Sequence, residues 1–158
     1  MERQRVARLY ELYADTVTRA AWHCCGSLHT AQDCAEEAFL RLMKQEEIEE
    51  ARALPWLIRT AVNCAKDDIK AFEHSRTVPL DEGLDSETDD QALLAERAAM
   101  RAMLSLEERY RLPLYLHLAE GYTILETARL LGKGFNTTAS LIRRGKKLLR
   151  AAYEREGF

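Results

Sequence analysis

Apolar side chains recur every three or four positions along most of this chain, the spacing of helices that bury one face. The first such stretch holds Val6, Leu9, Tyr10, Tyr13, Val17, Ala20, Ala21 and Cys24, and Gly26 predicts its end. A second runs on Ala31, Cys34, Ala35, Ala38 and Leu42 with Phe39 alongside, and Thr30 with Asp33 has capping-box spacing at its start. The acidic run 45–50 interrupts it. The third stretch, from about Ala53 to Phe72 with Pro55 tolerated in its first turn, has two faces. Leu57, Ile58, Ala61, Val62, Ala65, Ile69 and Phe72 form the apolar one, while Arg59, Asn63, Lys66 and Lys70 line the other behind Trp56. Basic and aromatic groups in one row suit unpaired nucleic acid, although a tryptophan at the head of a helix is also a common core anchor.

The periodicity lapses over 78–91, a polar, acidic stretch with Pro79 and Gly83, which predicts a linker between two helical domains, 1–77 and 92–158. Beyond it Ala92 to Leu104 is helical, and Ser105 with Glu108 predicts the cap of a helix reaching about Ala119, with Pro113 costing it an internal hydrogen bond. The sharpest local pattern starts at Gly121. Thr123 with Glu126 caps a short helix, Ala128 is small enough for a steep helix crossing, Gly132 supplies a C-cap, and Asn136 is placed to cap a basic helix. That is a helix-turn-helix, whose second helix buries Thr138, Ile142, Gly145 and Leu149 and presents Asn136, Thr137, Ser140, Arg143 and Lys147 to a major groove. The expected fold is all-α: two small helical domains joined by an acidic linker, the second with a helix-turn-helix.

Charge sharpens this picture. The net charge of −3 over 158 residues conceals a division: 1–77 has 11 basic against 13 acidic residues, 78–103 has 2 against 7, and 104–158 has 10 against 6. Arg143, Arg144, Lys146, Lys147 and Arg150 lie in a stretch without a single acid, as in a phosphate-contacting helix, or else in a merely solvated face. Seven glycines and three prolines are few for a turn-rich β fold, and no apolar run approaches a membrane span, so a cytoplasmic chain without membrane contact is expected. His23, Cys24, Cys25, His29 and Cys34 cluster in sequence, but no ligand spacing recurs, so neither metal nor cofactor is expected and the thiols are taken as buried and reduced. The adjacent pairs Glu36–Glu37 and Asp67–Asp68 diverge on a helix, and no nucleophile set or phosphate loop presents itself, so no enzyme is expected.

On these residues the chain resembles the extracytoplasmic-function (ECF) sigma factors of bacterial RNA polymerase, which have only regions two and four. The likeness is carried by Leu9–Tyr13 and Asp33–Leu42, by the third-helix set Trp56-Leu57, Arg59, Ala61, Asn63, Asp67 and Lys70, and by Glu120–Thr123, Leu131-Gly132 and the basic tail. The resemblance implies that Asp33, Glu36, Glu37, Phe39 and Arg41 dock on core polymerase. It implies that Trp56, Arg59, Asn63, Lys66 and Lys70 capture the separated minus-ten strand. Asn136, Thr137, Ser140, Arg143, Arg144 and Lys147 then read the minus-thirty-five element, and an anti-sigma protein is a further partner of the family. Such a chain binds core polymerase and directs promoter recognition and transcription initiation without covalent chemistry. The other reading is a free-standing helix-turn-helix regulator, which binds duplex DNA without polymerase.

Departures from the family pattern set further expectations. Ala139 and Leu141 stand where basic residues are frequent, which lowers the number of DNA contacts, and Leu141 and Leu148 are expected near the helix exterior. The resemblance also gives the loop from about Lys44 to Ala53 a part in strand capture, and the acidic Glu46, Glu47, Glu49 and Glu50 beside it are expected to repel DNA. Attraction between the acidic middle and the basic C-terminal part predicts a self-masked free state.

Overall fold

A computed structural model describes residues 1–72 and 89–157, the side chains of 69–72 excepted. Among the described residues the structure is helical, in two packed groups. The first comprises α1 (Arg3–Cys25), α2 (Leu28–Met43) and α3 (Glu50–Phe72). The second comprises α4 (Gln91–Leu104), α5 (Glu108–Leu114), α6 (Ile124–Leu131) and α7 (Phe135–Arg155). The all-α expectation is met.

Local chemistry fixes the helix ends, in places differently from the sequence pattern. Gly26 closes α1 in the left-handed region (φ 74°), as its position predicts. Helix α2 is capped three residues before the Thr30–Asp33 box, because Ser27, directly after the turn at Gly26, accepts the Thr30 N–H at 3.3 Å. Helix α3 also starts early, so Pro55 falls in its second turn. Asp90 caps α4 through the N–H groups of Ala92 and Leu93; the rest of the expected linker lies outside the described residues. Ser105 does not cap α5. It ends α4 instead, and its hydroxyl donates back to Ala102 O at 2.6 Å. Beyond Pro113, α5 continues into a π-helical turn, Tyr115–Ala119, closed by Glu120 N–H on Tyr115 O at 3.2 Å.

The first group buries Leu9, Val17, Leu42, Leu57 and Ile58 completely. That core does not stop at the group's boundary, since Leu112, Tyr115, Leu116 and Leu130 of the second group belong to the same apolar cluster. A smaller cluster of Leu106, Tyr110, Leu114 and Ile142 holds α5 to α7. There Gly145 is required, because a Cβ would lie 2.9 Å from Leu114 Cδ1.

Polar groups stitch the seam between the groups. Arg111 donates to His23 O at 2.6 Å and Cys24 O at 2.9 Å, the free carbonyls at the end of α1, and also to Leu106 O at 3.2 Å. Cys24 donates its thiol proton to Glu108 at 3.5 Å, and Lys66 Nζ lies 3.9 Å from the same carboxylate oxygen. His23 is buried against Tyr115, with ring centroids 4.5 Å apart. Burial, reinforced by the charges of Arg111 and Arg19, pushes its pKa down to about 3, so the imidazole is neutral at pH 7.

Candidate nucleic-acid interface

The helix-turn-helix forms as its capping residues dictate. Thr123 accepts the Glu126 N–H at 3.1 Å while Glu126 accepts the Thr123 N–H at 3.0 Å. That backbone donor, with the Thr123 hydroxyl, holds the Glu126 carboxyl below its ordinary range. Gly132 turns the chain in the left-handed region (φ 66°), and buried Ala128 lets α6 approach α7. Gly134, rather than Asn136, is the N-cap of α7. Helix α7 therefore starts one residue before Asn136, whose side chain points from the first turn and is exposed.

From that start the expected division of α7 holds. Thr138, Ile142 and Gly145 are buried and Leu149 is half-buried, while Asn136, Thr137, Arg143, Arg144 and Lys147 are exposed and Ser140 is half-exposed. Leu141 is not an exterior group: it packs partly against the Leu106–Tyr110–Leu114–Ile142 cluster. Leu148 is exposed.

The α3 row is more enclosed. Arg59, Asn63 and Lys66 are exposed side chains on successive turns, and Trp56 is half-buried against the core, so it is at once anchor and rim. Lys70 continues the row in sequence, but its side chain lies outside the described residues. Arg59, Asn63 and Lys66 form one wall of a cleft. Its other wall is Glu108, Arg109, Leu112, Pro113, Leu131 and Lys133 of the second group. The Arg59 guanidinium reaches the turn of the helix-turn-helix, within 3.3 Å of a Cβ placed on Gly132. Part of the acidic run 45–50 is paired with α1. Arg5 pairs with Glu47 and lies 3.4 Å from Glu50, and Arg8 bonds Glu50 at 2.8 Å.

On the far side, α1 and α2 frame an open groove lined by Val6, Tyr10, Glu36, Phe39, Leu40 and Met43, among others. Glu36 is exposed there, Asp33 is exposed elsewhere on α2, and Arg41 bonds Glu37 at 3.0 Å. Phe39, expected among the docking residues, is largely enclosed at the floor of this groove. It is 5% exposed and packs edge-on against Tyr10 at 4.9 Å, because its register on α2 faces α1.

Sequence reasoning missed Arg111, Glu108, His23 and Tyr115, which join the two groups. The available signal was Arg111 directly before the apolar run Leu112–Leu116. It also missed that the thiols gather in space: Cys34 approaches Cys64 and Asp68, whereas His29 is exposed and lies 3.5 Å from Asp33. Burial, then Cys64 and Asp68, push the Cys34 thiol far up.

Two family patterns match this chain: Sigma-70 region 2 over residues 9–74 and Sigma-70, region 4 over 96–149. Between them they cover both helical groups. The chain belongs to the ECF sigma factors. It is 28% identical to the ECF RNA polymerase sigma factor BldN of Streptomyces coelicolor, over 94% of this chain and 60% of that protein. It is 26% identical to the ECF sigma factor SigW of Bacillus subtilis, over 91% of this chain and 86% of that protein. For the ECF sigma factor SigE of Mycolicibacterium smegmatis the identity is 28%, over 90% and 59%. The chain thus spans about 60% of the length of two of these relatives. In this ECF sigma factor, α1–α3 carry region 2 and α4–α7 carry region 4. No helix among the described residues is long and apolar enough to cross a membrane.

Proposed function

We propose that this chain binds core RNA polymerase and directs it to promoters in the cytoplasm, without covalent chemistry of its own. The observation that carries this reading is the pair of basic rows on two helices of different exposure. One, on α7, is fully presented for duplex DNA; the other, on α3, combines Arg59, Asn63 and Lys66 with Trp56, a composition fitted to unpaired bases. The working division is 1–77 for polymerase and minus-ten binding, 78–91 as linker, and 92–158 for the minus-thirty-five element.

In this scheme Asn136, Thr137 and Ser140 meet base edges or sugar-phosphate from the start of α7, and Arg143, Arg144 and Lys147 neutralise phosphates. Asp33, Glu36, Glu37 and Arg41 meet a basic surface of the polymerase, with Phe39 acting from beneath as the packing that fixes their helix. Trp56, Arg59, Asn63, Lys66 and Lys70 take the separated minus-ten strand, stacking contributing about 1–3 kcal/mol per base. Because the Glu108–Lys133 wall flanks that row, parting of the two helical groups would widen the cleft for strand capture. Binding to polymerase is the step that separates them, and an anti-sigma protein is a partner that would hold them together.

The test mixes the purified chain with bacterial core RNA polymerase and follows gel filtration at moderate salt. Co-elution is the expected result, with little retention of duplex DNA by the chain alone. Failure to co-elute, together with duplex binding by the free chain, would replace this reading with that of a free-standing regulator.

A further inference from the structure

Cys34 of α2 and Cys64 and Asp68 of α3 bring two sulfur atoms and a carboxylate oxygen within 4.8 Å of one another. Cys64 and Asp68 are four residues apart and so share one face of α3, and Cys34 closes the third corner from the facing helix. Cys34 Sγ lies 3.5 Å from Asp68 Oδ2. A tetrahedral ion with bonds of about 2.3 Å to sulfur and 2.1 Å to oxygen sets those two ligands about 3.6 Å apart, so this corner already has the required spacing. Cys34 is fully buried, while Cys64 and Asp68 are half-buried, which gives an ion a route in and leaves a fourth position for solvent.

The surroundings distinguish between two uses of a thiol pair. A thiol that reacts with oxidants is activated by a neighbouring cation. Among the described residues Cys34 has a carboxylate neighbour instead, and Asp68 is paired with no Lys or Arg. Two thiolates and a carboxylate together carry three negative charges, which a divalent ion compensates at short range. Thiolate sulfur with one oxygen favours a borderline-soft metal over magnesium or calcium.

We propose that Cys34, Cys64 and Asp68 form a zinc site that pins α2 to α3. Here the expectation that the chain takes no metal is abandoned. It rested on the sequence cluster at residues 23–34, whereas two of the three ligands come from the third helix. The site joins the helix that carries Asp33, Glu36 and Glu37 to the helix that carries Arg59, Asn63 and Lys66, with Cys34 next to Asp33 and Cys64 next to Asn63. Metal occupancy therefore sets the relative position of the two surfaces the proposed promoter function uses, yet its binding is measurable with no polymerase present.

The reduced, full-length chain is titrated with Zn2+ alone against a chromophoric chelator, and with Co2+ as a spectroscopic substitute. The expected result is one ion per chain, thiolate-to-cobalt charge-transfer absorption, tetrahedral cobalt bands and a raised Tm. Loss of an outer-shell partner alone lowers metal affinity about 10- to 100-fold, so Cys64→Ser is expected to lose at least that much. Asp68→Asn should weaken binding in the same direction, and being more conservative at a half-buried position it serves if Cys64→Ser fails to fold. Cys25→Ser should bind as the parent chain does. Absence of micromolar binding by the reduced parent chain would overturn the proposal, as would an unchanged cobalt spectrum in folded Cys64→Ser or Asp68→Asn.

Discussion

The two basic rows of this sigma factor were equally visible as helical patterns, yet the folded chain treats them in opposite ways. The α7 row stands in solvent, with its buried face satisfied inside region 4 by Ile142 and Gly145 against Leu114. The α3 row stands at the seam with region 4 and is walled by Glu108, Leu112 and Leu131. The difference follows from what lies behind each row. Helix α7 packs on its own region, whereas the core behind α3 continues into Leu112, Leu116 and Leu130. Under the proposed function, the α7 row would serve duplex DNA and needs no uncovering step. On the same reading, a row for unpaired strand would be needed only after melting, and the wall beside it would then limit premature contacts.

The strongest way to break this asymmetry is to cut the shared core. Leu116 is fully buried in it, and Leu116→Ala is expected to cost about 2–5 kcal/mol in urea unfolding. Single-stranded oligonucleotide binding by the folded fraction should rise at the same time, since the wall beside Arg59 and Asn63 loosens. A variant that is destabilised with unchanged strand affinity would show that the wall does not restrict α3.

Acidification attacks the same seam through His23. Its imidazole titrates near 6.5 when unfolded and at about 3 when buried against Tyr115, so between those values the unfolded chain binds the extra proton. Stability is therefore fully present above pH 6.5 and falls as pH drops toward 3, by about 2 kcal/mol at pH 5. His23→Gln should flatten that slope in unfolding curves recorded from pH 7 to 5. An equally steep slope in the variant would assign the effect to other groups.

What the sequence disclosed and what it hid divide along the same line. Helix stripes, the Gly26 and Gly132 caps and the Thr123–Glu126 box depend on residues a few positions apart, and each formed as its spacing predicts. The α7 row was legible for the same reason. Ser105 misled because its hydroxyl had two local options, and the carbonyl of Ala102 won. Arg111 on the α1 carbonyls, Arg5 and Arg8 on the acidic loop, and Cys34 beside Cys64 join residues 30 to 88 positions apart. No periodicity encodes such pairs. Phe39 shows the intermediate case: its helix was evident, but whether that face met α1 or a partner depended on tertiary packing.

The open row is sharpened by smaller changes. Arg143→Ala and Lys147→Ala remove exposed cations that contribute nothing to the core, so stability should move by less than about 0.5 kcal/mol. If each neutralises one phosphate, promoter binding by the reconstituted holoenzyme should lose about one unit of salt dependence per substitution. An unaltered slope in both variants would remove α7 from the phosphate contacts.

The smallest expected change in stability tests the seam from its polar side. Glu108 is shared by Lys66 at 3.9 Å and by the Cys24 thiol, which burial and then the Glu108 charge push up to about 12. Both carboxylate and ammonium are more than a third exposed, so the pair is worth little, and Glu108→Gln should shift unfolding by no more than about 0.5 kcal/mol. Its effect on the α3 row is larger in kind, because a negative charge leaves the wall facing Arg59, Asn63 and Lys66. Strand affinity of the free chain should rise, and the rise should shrink with added salt, since it comes from removing charge rather than from opening the groups. Compared with Leu116→Ala, which should raise affinity at any salt, this variant separates two contributions to the wall: the apolar seam that holds region 4 in place, and the Glu108 carboxylate beside Lys66, which under the proposed function would compete with DNA.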